Sequence, residues 1–443
     1  MLDFISTHGM VISGAILLIA YVFIATEKIQ KSVVALAGAS LTMLLGLLPF
    51  SGHFDPETGA YVKSVFEYIA FDVIFLLIGM MILVHIASKS GVFKWIAIEL
   101  LKLTKGHPKM VLFALAAFTA VASAFLDNVT TVVLIMPVTF VIAKEFDMDP
   151  IPFLITEVLA SNIGGTATLI GDPPNIIIGA KAGLSFMDFL VELSGVIFII
   201  FLVSIAVLIL LFRKQLKATP EKMEHIANLD NSKTITDKKL MIRSLITLFF
   251  VILGFMTHDI THISAYVFAV AGASFLLLFE EPKEIYKDVE WLTIFFFVGL
   301  FIIIGGFEAT GGIDFLANKL IEFTHGSLTL ATMLILWGSG ILSGIIDNIP
   351  YTATMAPLIA NVQHTIPYAG TGHNPMWWAL ALGACLGGNF TIIGAAANVL
   401  VSETATSKGH PISFIRFLKY GVIITVIALC ISSAYLYLRY LRG

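Results

Sequence analysis

The chain alternates between long apolar runs and short polar breaks. Eight of the apolar runs are long enough, at about 1.5 Å per residue, to cross a hydrocarbon core about 30 Å thick. They predict membrane-spanning helices near residues 11–26, 33–50, 69–87, 187–212, 243–257, 263–279, 291–307 and 413–437. A polar segment, residues 213–242, separates the first four runs from the last four and predicts a linker.

Two further apolar stretches each carry a polar Asp-Asn pair in their interior. Asp127-Asn128 lies in the middle of residues 109–143, and Asp347-Asn348 lies within residues 328–360. Each stretch has enough apolar length for two arms but almost no residues in which to turn. We therefore predict two re-entrant hairpins with polar tips.

Two more stretches hold too many helix-breaking residues to form one continuous helix. Residues 151–180 contain Gly164, Gly165, Gly171, Pro173 and Pro174, and residues 376–402 contain Gly387, Gly388 and Gly394. Each stretch predicts a membrane span that is broken near its middle.

The hairpins and the broken spans occur twice at constant offsets. Asp127-Asn128 and Pro137 return 220 positions later as Asp347-Asn348 and Pro357, and the glycine-rich breaks return at an offset of 223. Each half then has five crossings and one hairpin, and an odd number of crossings inserts the second half in the opposite sense. We predict an all-α polytopic membrane protein built as an inverted repeat, with residues 1–212 and 243–443 as the two repeats.

Composition and charge support a membrane location and give it a direction. Hydrophobic residues make up 58% and charged residues 13% of the chain, which excludes an ordinary soluble domain. Of the 26 Lys and Arg residues, 21 lie on the same side as the central linker in this topology. The positive-inside rule then predicts a cytoplasmic linker and two termini on the outer side. In the bacterial inner membrane where we expect this protein, these termini are periplasmic.

The polar breaks are where we expect the chemistry, because bare backbone groups are tolerated at membrane depth only against protein or a watery cavity. No Lys or Arg lies within the apolar halves of the hairpins that carry Asp127 and Asp347. Each could be neutralised by a proton or a metal cation, or could cap the helix that follows it. Asn128 and Asn348 suit either a ligand-facing tip or a turn.

The second pair of breaks is unequal. Asp172 belongs to Gly-Asp-Pro-Pro-Asn in the first half, whereas the matching second-half segment, residues 394–398, has no acid. We predict that Asp172, with Asp127, forms the more acidic site and the better place for Na⁺ or proton coupling. Glu157 precedes this break and is either a proton relay or a buried hydrogen-bonded acid.

These motifs resemble a known transporter group. Asp127-Asn128 with Thr130-Thr131, the run from Gly165 to Asn175, and Asp347-Asn348-Ile349-Pro350 are similar to the arsenite-permease and NhaD antiporter group of the ion transporter superfamily. The melanosomal P protein has a similar Gly-Asp-Pro-Pro-Asn motif. The resemblance covers nearly the whole chain and implies a homodimer in which a transport unit moves, like an elevator, against a scaffold.

The resemblance also implies where substrate binds, between the two hairpins and the two broken helices. The candidate residues are acids, amides and hydroxyls: Asp127, Asn128, Thr130, Thr131, Asn162, Thr166, Thr168, Asp172, Asn175, Asp347, Asn348, Asn389, Thr391 and Asn398. A second half nearly free of charge near Asn389 suits a neutral trihydroxy solute, so we favour arsenite or antimonite efflux coupled to protons. Na⁺/H⁺ exchange and transport of another small anion are the alternatives, because bacterial arsenite permeases differ at residues 171–175.

Other classes fit less well. No Gly-x-Gly-Asp or His-Glu-x-x-His motif indicates a protease, and no Gly-x-x-x-x-Gly-Lys motif indicates nucleotide binding. Energy is then expected from an ion gradient or from a separate ATPase subunit. We predict no enzyme activity, no cofactor and no nucleic-acid partner, and two inverted halves favour alternating access over a passive channel.

Overall fold

Helices make up nearly all of the fold. The computed structural model describes residues 2–26, 28–54, 61–227, 231 and 234–442. The helices of the first half are α1 (Leu2–Thr26), α2 (Lys31–Leu44), α3 (Phe71–Lys89), α4 (Val92–Leu103), α5 (Pro108–Ser123), α6 (Asn128–Phe146), α7 (Ile151–Gly165), α8 (Pro173–Ala182) and α9 (Phe186–Phe212).

The helices of the second half follow a short central helix. The central helix is α10 (Pro220–Ala227). The later helices are α11 (Lys238–Met256), α12 (His258–Thr261), α13 (Ala265–Leu277), α14 (Pro282–Lys287), α15 (Trp291–Ala309), α16 (Gly312–Thr324), α17 (Leu328–Ile346), α18 (Asn348–Thr365), α19 (Pro375–Gly387), α20 (Ala396–Ser407) and α21 (Phe414–Leu436).

The second predicted span is shorter than expected. The apolar run predicted a helix to residue 50, but α2 ends at Leu44 because Gly46 adopts a left-handed backbone with φ of 67°. Two short antiparallel strands follow, β1 (His53–Phe54) and β2 (Tyr61–Val62). A 3₁₀ turn, Val65–Tyr68, then leads into α3.

The lengths and surfaces of the helices confirm an all-α membrane protein. Eight helices in the described part of the chain are long and apolar enough to cross a bilayer. Large apolar side chains also face outward, among them Phe198 and Ile199 on α9, both more than half exposed. A lipid environment removes the cost that such surfaces would have in water.

Each predicted hairpin appears as two helices around an Asp-Asn tip. Hairpin 1 is α5 and α6, and hairpin 2 is α17 and α18. By length and composition α6 and α17 would each qualify as a span, so the re-entrant assignment remains a prediction. The broken spans appear as α7 followed by α8, and as α19 followed by α20.

The helices pack as two groups. In the first, which we call the scaffold bundle (α1, α2, α3, α11, α13 and α15), α2 packs on α15 and α3 packs on α13. Gly299 of α15 lies so near Ala35 that an added Cβ would meet its carbonyl carbon at 2.5 Å, and Gly79 of α3 lies equally close to Ala269. In the second, the hairpin unit (α5–α9 and α17–α21), α5 packs on α7 and α17 packs on α19.

The central segment is attached to the end of hairpin 1 and to the turn between α3 and α4. Lys222 of α10 donates to the Phe146 carbonyl at 3.2 Å, and the Thr236 amide donates to the Ser90 carbonyl at 3.0 Å. The helix that follows, α11, begins at Lys238, five residues before the predicted span. The linker is therefore packed against the protein along much of its described length.

Candidate functional site

The tip of hairpin 1 is closed by its own aspartate. Asp127 Oδ1 accepts from the Thr130 amide at 2.8 Å, and Oδ2 accepts from the Thr130 hydroxyl at 2.5 Å. Its backbone is relaxed, with φ of −67° and ψ of 156°. Asp127 thus caps α6, as one of the two interpretations of the sequence proposed.

The tip of hairpin 2 has a different arrangement. Asp347 Oδ1 accepts from the Ile349 amide at 3.0 Å, while Oδ2 lies 2.6 Å from Lys31 Nζ. The basic partner missing from the hairpin comes from α2, more than 300 positions away, where sequence spacing gives no indication of contact. Asp347 also has φ of 109°, a strained value for a non-glycine residue that costs about 1–3 kcal/mol.

Two asparagines close the breaks in the same way. Asn175 Nδ2 donates to the Thr168 carbonyl at 2.8 Å, and Asn398 Nδ2 donates to the Thr391 carbonyl at 2.9 Å. Each asparagine lies in the first turn of the helix after a break and satisfies carbonyls freed at the end of the helix before it. Without these donors the carbonyls would be buried and unpaired.

The threonines of the breaks attach each broken span to its hairpin. The Thr168 hydroxyl donates to the Ala124 carbonyl of hairpin 1, and the Thr391 hydroxyl donates to the Gly344 carbonyl of hairpin 2. The four residues occupy matching positions of the two halves. The predicted site residues Thr168, Asn175, Thr391 and Asn398 therefore hold the backbone frame.

At the centre, residues of both halves meet around one carboxylate. Asn348 Nδ2 lies 3.4 Å from each oxygen of Asp172. The Cys385 thiol also interacts with this carboxylate. The Asn128 orientation that satisfies its surroundings directs Nδ2 to the Gly171 carbonyl at 3.2 Å. Asp172 is 2% exposed, so this centre is closed to solvent.

A second set of amides joins the two breaks directly. Asn162 Nδ2 donates to Asn389 Oδ1 at 2.8 Å and to Asn398 Oδ1 at 3.0 Å. Asn389 in turn donates to the Leu159 carbonyl at 3.1 Å, and the Thr166 hydroxyl donates to the Asn162 carbonyl at 2.7 Å. These contacts bring the predicted polar residues of both halves into one network.

The predicted acids do not all gather in one place. Asp172 interacts electrostatically with Asp347, whereas Asp127 interacts with Glu290, which precedes α15. No group of three or more His, Cys, Asp or Glu suited to a metal ion occurs among the described residues. Beside Asp127 lies a cavity of about 20 Å³, room for about one water-sized ligand.

Glu157 is buried beside the centre with half of its hydrogen-bonding capacity unused. Its Oε1 accepts from the Thr139 hydroxyl at 2.6 Å, and its Oε2 has no partner among the described residues. The Thr131 hydroxyl is also buried without a partner there. Such groups are costly in a folded protein and often mark function.

Several residues of the site were not found from the sequence. Lys31 and Glu290 lie outside both hairpins and touch the tips only through the fold. Ser161, whose hydroxyl donates to Ser123 at 3.1 Å, helps to hold Asn128, because its backbone carbonyl accepts from Asn128 Nδ2 at 3.1 Å. Of these residues, only Ser123 could have been noticed in the sequence, because it recurs 220 positions later as Ser343.

Comparisons with known proteins agree with this architecture. The family model described as CitMHS, citrate transporter, matches residues 21–383. An uncharacterized transporter of Mycobacterium tuberculosis is 40% identical over 433 residues, covering 97% of this chain and 98% of that protein. The human P protein is 32% identical over 504 residues, covering 96% of this chain and 59% of the P protein.

A solved structure shows the same fold. The Neisseria gonorrhoeae efflux pump MtrF aligns with a TM-score of 0.58 over 96% of this chain and 95% of its own, at 14% identity. The family match and the relatives show that the protein is a multi-pass membrane transporter and not an enzyme. The chain belongs to the CitMHS family, the family described as citrate transporter.

Proposed function

We propose that this transporter exports arsenite or antimonite in exchange for protons. The observation that carries the proposal is the contact of Asp172 with Asn348, which joins the first break to the second hairpin at a buried centre. Substrate sites of such folds lie where broken helices of two repeats meet. The network of Asn162 and Asn389 extends this centre across both breaks.

The chemistry of the centre favours a neutral hydroxylated solute. Amides and hydroxyls can both donate and accept, which matches a trihydroxide that also does both. Asp172 is the acid that contacts this set, and Asn128, Asn348 and Asn389 supply the amides. A solute without charge avoids the desolvation cost that an ion would meet in so closed a site.

Protons are the proposed counter-ion because buried carboxyl groups flank the centre. Asp172 and Asp347 interact with each other, and Glu157 is buried on the same broken span. A carboxyl group at membrane depth is stabilised by taking up a proton, so each can load and release one. Glu157, with its unpaired oxygen, is the proposed relay.

Na⁺/H⁺ exchange is the second candidate, favoured by the same pair of acids. Asp172 and Asp347 belong to different halves and lie beside amide groups, and oxygen ligands of this kind suit a hard cation. Citrate, the solute in the family description, is a trianion that would face these two carboxylates. Lys31 is the cation that lies beside Asp347.

The proposed mechanism extends to the whole chain. We propose that the halves form an inverted repeat, that both termini are periplasmic, and that the central segment is cytoplasmic in a bacterial inner membrane. The hairpin unit then moves as an elevator against the scaffold bundle of a homodimer. An ion gradient, not an ATPase subunit, supplies the energy.

Flux into proteoliposomes without ATP tests the proposed substrate, the coupling ion and the source of energy. Purified protein is given arsenite, antimonite, Na⁺ or citrate in turn, each with and without an imposed pH gradient. Proton-coupled arsenite or antimonite flux that Asp172→Asn abolishes is the expected result. Na⁺-dependent proton movement without arsenite flux would establish the second candidate, and citrate uptake alone would overturn both.

A further inference from the structure

The two hairpin tips differ in how their aspartates are held. Asp127 satisfies its carboxylate within its own hairpin and has an ordinary backbone conformation. Asp347 needs Lys31 from another helix, and its backbone has φ of 109°. A strained residue persists only when its surroundings hold it in place. The surroundings of Asp347 are therefore part of what fixes the hairpin 2 tip.

The contacts that hold this tip cross between the two groups of helices. Lys31 begins α2 of the scaffold bundle, and its Nζ lies 2.6 Å from Asp347 Oδ2. Tyr21 of α1 donates to the Pro350 carbonyl at 2.5 Å, and its hydroxyl also bonds to Thr354. Hairpin 2 is thus fastened to the scaffold bundle at the start of its second arm.

Among the described residues, the acids near Asp347 outnumber the cations. The charged and titratable groups there that interact with Asp347 are Lys31 on α2, Tyr21 on α1 and Asp172 in the first break, and Tyr351 on α18 interacts with Tyr21. With both carboxylates ionised and the tyrosines neutral, one ammonium stands against two negative charges. One further monovalent cation would balance them, and the Asp347 carboxylate is a ligand for it.

We propose that Lys31 is a latch that competes with the coupling cation, H⁺ or Na⁺, for Asp347. This rests on the proposed cation-coupled transport and adds the element that links ion binding to movement. When the cation binds the Asp347 carboxylate, the Lys31 ammonium leaves with its proton, and hairpin 2 is freed from α2. The tip then relaxes toward the conformation of Asp127. When the cation dissociates, the ion pair forms again.

Labelling of Cys385 tests the latch without knowledge of the solute. Cys385 is fully buried beside Asp172, so N-ethylmaleimide reaches it only when the centre opens. With the exposed Cys430 changed to Ser, Lys31→Met is expected to raise the labelling rate about tenfold. Lys28→Met, an exposed charge three positions earlier, is the matched control and should leave the rate unchanged.

Two further variants separate a latch from simple loss of folding. Lys31→Arg keeps the cation and should restore most of the protection. Asp347→Asn should raise the labelling rate as Lys31→Met does, and the double variant should be no faster than either single one, because both remove the same pair. Two outcomes would overturn the latch. One is a labelling rate in the double variant raised by the product of the two single effects, and the other is an unchanged labelling rate in Lys31→Met.

Transport provides the second measurement. In Lys31→Met the concentration of coupling cation for half-maximal flux should fall about tenfold, since its competitor is absent. An unchanged or higher half-maximal concentration would show that Lys31 does not compete. If the wild type carries none of the tested solutes, the proposed function fails, while the labelling results still decide the latch.

Discussion

Gly164→Ala tests whether the first half of the site depends on a close backbone contact. Gly164 lies in α7, and a Cβ added there would meet the Ala120 carbonyl oxygen of α5 at 2.0 Å. The nearby hydroxyl contacts of Thr168 with Ala124 and of Ser161 with Ser123 join the same two elements. We expect the alanine to push hairpin 1 away from the broken span.

The magnitude follows from the distances. The contact must lengthen from 2.0 Å to about the 3.4 Å of ordinary van der Waals contact, a shift that rigid helices cannot absorb locally. Overpacking of this kind costs about 1–3 kcal/mol. Two weakened hydrogen bonds add about 1 kcal/mol each, and the better helix propensity of alanine returns about 1 kcal/mol. The expected net loss is about 2–4 kcal/mol.

Equilibrium unfolding in mixed micelles measures this loss, with Gly195→Ala as the matched control. Gly195 lies in α9, is exposed, and an added Cβ there meets nothing within 4 Å. The control should be neutral or stabilised by up to about 1 kcal/mol. Flux should fall in Gly164→Ala even in protein that remains folded, because Asn128 is displaced from the Gly171 carbonyl beside Asp172.

Equal stability of Gly164→Ala and the wild type would show that the close contact of Gly164 with Ala120 does not constrain the two helices. Equal losses of stability in the two alanine variants would show a general effect of glycine replacement and not an effect of this contact. Loss of flux with unchanged stability would place the effect on movement and not on packing.

Three further predictions concern acids. Asp172→Asn should fold normally, as shown by size-exclusion chromatography, and should lose coupled flux, because the carboxylate at the centre is gone. Thr139→Val should lower the free energy of unfolding by about 1–3 kcal/mol, since Glu157 then has no donor, while Thr139→Ser should retain stability. The Ser64 backbone amide, which donates to Glu67, holds the pKa of Glu67 below its ordinary value. This stabilisation is complete above the ordinary pKa of a glutamate and is lost as the pH falls through the lower pKa of Glu67 in the folded protein. The hydrogen-exchange rate of the 3₁₀ turn should therefore rise in that lower pH range. The rate should not rise there in Glu67→Gln.

The sequence was sufficient to locate the breaks, because their cause is local. Glycines and prolines end a helix wherever they occur, so residues 151–180 and 376–402 were identified from composition alone. The bounds of α7, α8, α19 and α20 follow these residues closely. The all-α membrane fold followed in the same way from apolar length.

The contacts of the tips could not be predicted, because they depend on how helices pack. Lys31 and Glu290 each stand at the beginning of a scaffold helix, far along the chain from the tip they approach. Nothing in periodicity pairs a residue with a partner that is 163 positions away, as for Glu290 and Asp127, or 316 positions away, as for Lys31 and Asp347. The end of α2 at Leu44 was missed for a different reason, since a left-handed Gly46 within an apolar run leaves hydrophobicity unchanged.

The two halves use one backbone frame for unequal purposes. Thr168, Asn175 and their second-half counterparts make matching bonds, so the frame itself places no charge in one half more than the other. The charges differ because Asp172 has no acidic counterpart and because only Asp347, of the two tip aspartates, is bound to Lys31 in the structure. Asp172 and Asp347, one carboxylate from each half, interact electrostatically. The proposed coupling cation would be attracted by both halves at once, which is what its binding needs in order to alter their relative position.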